Sequence, residues 1–303
     1  MITYKCNNCG GEMSISASGS LTCSYCGNKS NFSDSELKNY REFRTTMLTY
    51  LKALADNKAD EKATGTLWGY SETALYETSD GEDVNIQYLF RANDDGVNMF
   101  MCKDSVIYIF EGEHKAKAAR MLSAIKRVEF PGADVKNLDR CIPKLKAELE
   151  LSDGILLAFE REENMYPLGA FGSLDYKHSA WIMSRLENIC CILEYSELLH
   201  NGINLESVYI NPFMHEAALY GGWWNTVTKP LNSVDDLVAI RKVCDRVMGV
   251  NQYEVPNAFK AFLKNKPGRD AYEDFEIWDN VIEHGLGGRH FHKMNINTLN
   301  KEI

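Results

Sequence analysis

HSAWIMSRLENICCILEYSELLHNGINLESVYINPFMHEAALYGGWW, residues 178–224, is the stretch whose reading decides the fold. Trp181, Ile182, Leu186, Ile189, Cys190 and Leu193 recur at helical spacing, so its first half predicts a helix with a buried stripe. That helix is expected to close at Leu199-His200, where a histidine suits the negative end of the helix dipole. Cys190 and Cys191 are sequence neighbours, which do not face each other on a helix, so no joint chemistry is assigned to them. Asn201-Gly202 supplies a turn and Val208-Tyr209-Ile210 a short apolar strand. Asn211-Pro212 turns the chain again, and a second short strand enters Gly221-Gly222.

The residues ahead of this stretch read as strands. Residues 67–78 carry Trp68, Tyr70 and Tyr76 and end at the turn Ser79-Asp80-Gly81. Residues 84–90 alternate apolar and polar positions, as a half-buried strand does. Asn93-Asp94-Asp95-Gly96 is a turn, followed by strands at 97–102 and 106–110. Residues 115–128, KAKAARMLSAIKRV, have high helix propensity, with Ala118, Met121, Leu122 and Ile125 on one face. Strands at 141–149 and 155–159 flank the hairpin signature Ser152-Asp153-Gly154. Behind the central stretch, helices are expected at 234–248, 257–264 and 271–284, separated by Pro and Gly.

This order of strands, one helix, two strands and then helices, with a helix ending in Leu-His before two short strands, resembles the protein kinase fold. The resemblance implies an α+β, two-lobed chain: a β-rich small lobe at 65–160 and a helical large lobe at 161–303. Residues 160–167 would be the hinge, with a nucleotide pocket between it and the opening strands. An Asp near the start of the 234–248 helix is what such a large lobe usually has.

The working groups of a kinase are replaced. Trp68-Gly69-Tyr70-Ser71 has one Gly where several must let the backbone approach phosphates. Lys103 is the candidate cofactor-binding lysine, although the register of 106–110 puts an apolar or aromatic residue in that place. The competing reading of Lys103 is a solvated lysine at a strand end. Ala118 stands where the partner Glu is expected. After Gly202-Ile203 the chain offers only Asn204-Leu205-Glu206-Ser207, read as several residues short and without an Asp. Tyr220 stands at the metal-binding Asp position, and phenol is a poor magnesium ligand beside carboxylate and phosphate oxygen. Together these gaps resemble a pseudokinase, and the HExxLYGGWW ending is similar to divergent bacterial and phage kinase-like proteins.

The first thirty-three residues are a separate unit. Cys6-x-x-Cys9-Gly10 and Cys23-x-x-Cys26-Gly27 are thirteen residues apart, and four thiolates satisfy a closed tetrahedral Zn2+ site. A hairpin across Ser18-Gly19 completes what resembles a zinc ribbon. So small a segment has little apolar core, and zinc is expected to supply its folding energy. Its only basic groups are Lys5 and Lys29, which favours a structural or protein-binding knob over a nucleic-acid contact. His284, His290 and His292 lack the spacing of a second metal site and are read as surface or packed histidines. Ser33-Asp34-Ser35-Glu36 fits a capping box opening a connector, 34–64. Tyr40, Phe43, Met47, Leu48 and Leu51 form its apolar stripe, with Lys38, Arg41, Arg44 and Lys52 opposite.

Composition narrows the function classes. The 303 residues are 45% apolar and 25% charged, which fits a globular chain with a sizeable core. A net charge of -10 argues against a broad nucleic-acid surface, which needs many Lys and Arg on phosphates. No apolar run approaches the length of a bilayer span, and Met1–Lys5 lacks the basic start of a secretion signal. Nine cysteines, four of them in CxxC pairs, fit a reducing, cytoplasmic setting. The expected function is a catalytically inactive pseudokinase acting as a binding, scaffold or regulatory module, with no catalytic residue assigned and ATP doubtful. Its protein partner would meet the ribbon, the connector helix or Trp223-Trp224. The alternatives are a divergent ATP-using phosphoryl or nucleotidyl transferase and a zinc-ribbon nucleic-acid factor.

Overall fold

The chain is described by a computed structural model. It covers the backbone of residues 4–5, 12–15, 20–23, 29–31 and 34–37, and whole residues 38–56, 65, 67–132, 138–248, 254–290, 294–296 and 299. Four short strands open the chain: β1 (Tyr4–Lys5), β2 (Glu12–Ile15), β3 (Ser20–Cys23) and β4 (Lys29–Asn31). They pair antiparallel in chain order, with Met13 opposite Cys23 in the expected hairpin. Cys6, Cys9, Cys26 and the capping Ser33 lie outside the described residues, and only the backbone of Cys23 is described.

The connector forms helix α1 (Asp34–Ala55). Tyr40, Phe43, Met47, Leu48 and Leu51 are buried, while Lys38, Arg41 and Lys52 are exposed. Arg44, assigned by pattern to the polar face, is 2% exposed. Its Nε donates to the Ala170 carbonyl at 3.0 Å and its Nη2 to the Phe171 carbonyl at 3.4 Å. Tyr40 Oη donates to the Gly169 carbonyl at 3.2 Å, and Phe43 stacks on Phe90 at 5.2 Å. The apolar stripe thus packs on the chain's own body, the commoner outcome for such a helix, and not on a partner helix.

Glu72–Glu77 (β5) and Asp83–Tyr88 (β6) form a hairpin. Strand pattern alone extended β5 back to residue 67, but a short helical turn comes first and buries Leu67. Then come β7 (Phe90–Asp94), β8 (Val97–Met101) and β9 (Ser105–Glu111), helix α2 (Lys115–Lys126), β10 (Leu145–Leu151) and β11 (Gly154–Glu160). The last five strands make one antiparallel sheet, in the order β10-β11-β9-β8-β7. Alternation along β9 and β11 gives that sheet two buried faces. Ile109 and Leu156 join Ile86 and Phe100 under the β5–β6 hairpin. Tyr108, Phe110, Leu157 and Phe159 face the main core, which runs on into the helical half.

The helical half holds β12 (Tyr166–Pro167), α3 (Tyr176–Tyr195), β13 (Leu198–Leu199), β14 (Val208–Asn211), β15 (Glu216–Leu219) and β16 (Val227–Thr228). It closes with α4 (Asp235–Met248), α5 (Asn257–Lys264) and α6 (Ala271–Asn280). The Asp175 carboxylate caps α3 by accepting from the His178 amide at 2.9 Å. The helix stops before His200, contrary to the sequence expectation. Glu197 takes a left-handed φ of 54°, and Leu198-Leu199 then pair as β13 with Thr228 and Val227 of β16.

Glu187, midway along α3, is fully buried beside Asp274 and Arg241. Burial first, then the Asp274 carboxylate, holds its acid well above the usual carboxylate range. An unfolded glutamate ionises near pH ~4.3, so above that the folded chain retains the extra proton. Stability therefore falls as pH rises from the unfolded value toward the raised native one. A Glu187→Gln chain should gain steadily on the wild type in urea titrations run from about pH 5 to about pH 8. Parallel stability profiles for the two chains would show that Glu187 is ionised in the native protein.

Candidate functional site

The cleft between the sheet and the helical half is built around the loop that follows β13. His200 is fully buried, with its ring edge-on to Trp223 at 4.8 Å. Its Nδ1 accepts from the Gly202 amide at 3.1 Å, and burial pushes its pKa down to about 3, so the imidazole is neutral. The Asp236 carboxylate, from the first turn of α4, accepts from the His200 amide at 2.6 Å and the Asn201 amide at 3.0 Å. This is the aspartate expected at the start of that helix, and it sets the path of the loop.

The loop is not short, as the sequence reading had it. Kinases carry H-R-D-x-x-x-x-N here, and counting from His200 puts Gly202 at the Asp position and Ser207 at the Asn position. A side chain has no room at residue 202. A Cβ there would lie 2.8 Å from both the Cα and the carbonyl oxygen of Gly222. Gly222 in turn has a φ of 81°, and its own Cβ would lie 2.7 Å from the Gly202 carbonyl oxygen. Ser207 is spent within the loop: its Oγ accepts from the Asn204 amide at 2.8 Å, and its amide donates to Asn204 Oδ1 at 2.8 Å. Glu206 is half-buried, and its charge raises the pKa of the Tyr40 phenol as a cause second to burial.

Aromatic side chains fill the space above the loop. Tyr209, on β14, is fully buried and donates its hydroxyl to Met99 Sδ of β8 at 3.4 Å. Tyr220 packs against it at 4.9 Å, and its hydroxyl accepts from the Glu162 amide of the hinge at 3.4 Å. Burial pushes the Tyr220 phenol up to about 12 and raises Tyr209 further, so both rings stay neutral. On the sheet side, Tyr108 and Phe110 of β9 meet the Trp224 ring at 5.6 and 5.9 Å. Tyr108 is the aromatic residue that the register of this strand predicted in place of a lysine. Ala118 of α2, at the partner-Glu position, is buried.

Lys103 and the Trp223-Trp224 pair both lie among the described residues. Lys103 is exposed, at the tip of the turn between β8 and β9, which closes through the Cys102 amide and the Ser105 carbonyl at 2.8 Å. It lies before β9, and its carbonyl accepts from Arg161 Nη2 at 2.6 Å. Trp223 and Trp224 are 0% and 2% exposed, so they offer no surface to a partner. The turn at Gly222 leads into a 3-10 turn whose two indoles both point inward, and Trp223 Nε1 donates to the Leu219 carbonyl at 2.7 Å. His284 and His290 are exposed, and His292 is outside the described residues. Among the described residues, no group of three or more His, Cys, Asp or Glu is placed to hold a metal.

Arg161 is a residue that sequence reasoning missed. It is 8% exposed and donates to three carbonyls: Cys102 at 2.9 Å, Met165 at 2.7 Å and Lys103 at 2.6 Å. Its guanidinium also lies over the Tyr166 ring at 5.3 Å. One fork of donors thereby fixes the hinge to the β8–β9 turn. No spacing rule flags such a residue, because its partners are backbone atoms from distant turns.

No protein-family model matches this chain, and no curated protein sequence matches it. Among solved structures, vaccinia related kinase 3 is similar with a TM-score of 0.51 and 10% identity, over 74% of this chain and 96% of that one. The bifunctional kinase-methyltransferase WbdD is similar with a TM-score of 0.45 and 15% identity, over 66% of this chain and 48% of its own length. This chain therefore spans about half the length of WbdD. The likeness to vaccinia related kinase 3 shows a protein kinase-like fold. Among the described residues, no helix is long and apolar enough to cross a membrane.

Proposed function

We propose that this chain is a catalytically inert kinase-like protein that works as a protein-binding or scaffold module. The observation that carries the reading is the backbone contact between Gly202 and Gly222, which excludes any side chain from the catalytic-base position. Phosphoryl transfer in kinases relies on that Asp, on metal-holding carboxylate and amide groups, and on a phosphate lysine. Here the corresponding positions are Gly202, Tyr220, Ser207 and Tyr108. The buried Tyr209 and Tyr220 rings support the same reading, since they pack together beside the hinge with the Tyr220 hydroxyl on the Glu162 amide. On this reading the ribbon is a second contact site. Its Cys6, Cys9, Cys23 and Cys26 would hold a structural Zn2+, tetrahedral and closed to substrate.

The test is an ATP titration of the full chain with magnesium, followed by thermal unfolding and by transfer from labelled ATP to the chain or to a generic acceptor. The expected result is an unchanged melting temperature and no labelled product, because a ligand that does not bind the native state does not stabilise it. Phosphoryl transfer that disappears in a Glu206→Ala chain would overturn the proposal and favour a relocated catalytic carboxylate.

A further inference from the structure

A groove of about 320 Å³ lies away from the cleft, where α1 passes the β5–β6 hairpin and the start of β7. Its volume is at the lower end of the range for small-ligand pockets. Phe43 from α1 and Phe90 from β7 form an apolar floor, stacked at 5.2 Å. Tyr70 and Tyr88 add two more rings to the wall, and Tyr70 is 54% exposed.

Glu72 is the polar centre of this groove. One carboxylate oxygen accepts from Asn39 Nδ2 at 2.6 Å and the other from Tyr88 Oη at 2.8 Å. Both donors are neutral, and among the described residues no ion pair to Glu72 is formed. A carboxylate has about four acceptor positions, so two hydrogen bonds leave it able to take more. The wall carries two other charged groups, Arg91 and Glu42, each with a partner of its own. Arg91 donates to Asn98 Oδ1 at 3.3 Å and lies over the Phe100 ring at 5.5 Å. Glu42 faces Lys38 of the same helix at 3.8 Å.

An exposed carboxylate oriented by neutral donors in a groove that also carries aromatic rings can receive an organic cation through a charge-assisted hydrogen bond, with cation–π contact beside it. We propose that this groove binds an aliphatic ammonium or guanidinium group, with Glu72 as its counter-charge and Tyr70 and Tyr88 as its aromatic wall. The same head group could belong to a free amine or to a Lys or Arg side chain on a partner, and the two sources are separable by experiment.

The full chain is titrated calorimetrically with cadaverine and agmatine in one arm and with short capped peptides carrying one Lys or one Arg in the other. Pentanol serves as the neutral control. Saturable binding in either arm is expected, with no binding of pentanol. Binding of the free amines points to a metabolite, and binding of the peptides alone points to a partner side chain. Glu72→Gln should weaken the interaction about tenfold or more, the loss expected for one charge-assisted contact. Tyr70→Ala, at an exposed position, is the second variant, and unchanged melting temperatures certify that both chains are folded. Absence of saturation by all four cations in the millimolar range overturns the proposal. Binding that neither substitution weakens also overturns it, since the general acidity of a chain of net charge -10 would then be its source.

Discussion

Installing the missing aspartate, Gly202→Asp, is expected to destabilise the chain by about 4 kcal/mol or more and to produce no phosphoryl transfer. Two costs combine. The new Cβ would sit 2.8 Å from Gly222 backbone atoms, an overlap that only backbone movement relieves. Such overpacking costs roughly 1–3 kcal/mol. The carboxylate would then enter a region holding a neutral, buried His200 and an Asp236 carboxylate already engaged by the His200 and Asn201 amides. A charge placed there without a partner costs several kcal/mol more. Gly202→Ala separates the terms, because it carries the steric cost alone. Urea unfolding of the two variants measures both, with the larger loss in the aspartate chain. An aspartate variant as stable as the wild type, or one that transfers phosphate, would sink the idea that packing closes this site.

The second large effect is expected at the pair joining α4 to α6. Arg241 is 3% exposed and Asp274 fully buried, with Arg241 Nη2 and Asp274 Oδ1 2.5 Å apart. Asp274 Oδ1 also accepts from the Gly268 amide at 2.8 Å. Arg241 is held further by the Phe262 and Asn265 carbonyls at 2.6 and 2.7 Å, and it lies over the Phe262 ring at 3.9 Å. Asp274→Ala strands a guanidinium that cannot shed its proton, and breaking such a pair costs about 3–5 kcal/mol. Glu187 offers a partial remedy. Once Asp274 is gone, its neighbour's charge no longer opposes ionisation, and the Glu187 carboxylate can replace the lost one beside Arg241. Asp274→Ala in a Glu187→Gln background should therefore cost more than in the wild type. A loss below about 1 kcal/mol, or strict additivity of the two changes, would show that the pair is not coupled in this way.

The order of elements was legible because it rests on periodicity. Alternation gave β6, helix propensity gave α2, a period of 3.6 gave α1, α3 and α4, and Gly and Pro marked turns between elements. The aspartate at the start of α4 was legible too, though what it holds was not. The fate of the cleft was harder to read. Tyr209 looks like an ordinary apolar strand position and Tyr220 stands out only for replacing an Asp, and nothing local tells that their hydroxyls end on Met99 and on the hinge amide. One signal was available and passed over: counted from His200, the loop has the full kinase length with Gly202 in the Asp place. Arg44 read as a surface charge, and Arg161 went unflagged, because a pattern records polarity and not the carbonyls that remote turns deliver. Adjacent tryptophans read as one in and one out. The left-handed turn at Gly222 defeats that rule by bringing both indoles inside.

Helix α1 has a mechanical meaning as well. It follows the four opening strands in the chain, and it is fastened to β7 through Phe43 and Phe90 and to residues 169–171 through Tyr40 and Arg44. A tension applied at the ribbon would therefore load both halves in parallel, in shear along the helix, instead of prising them apart at the hinge. The helix acts as a splint across the joint.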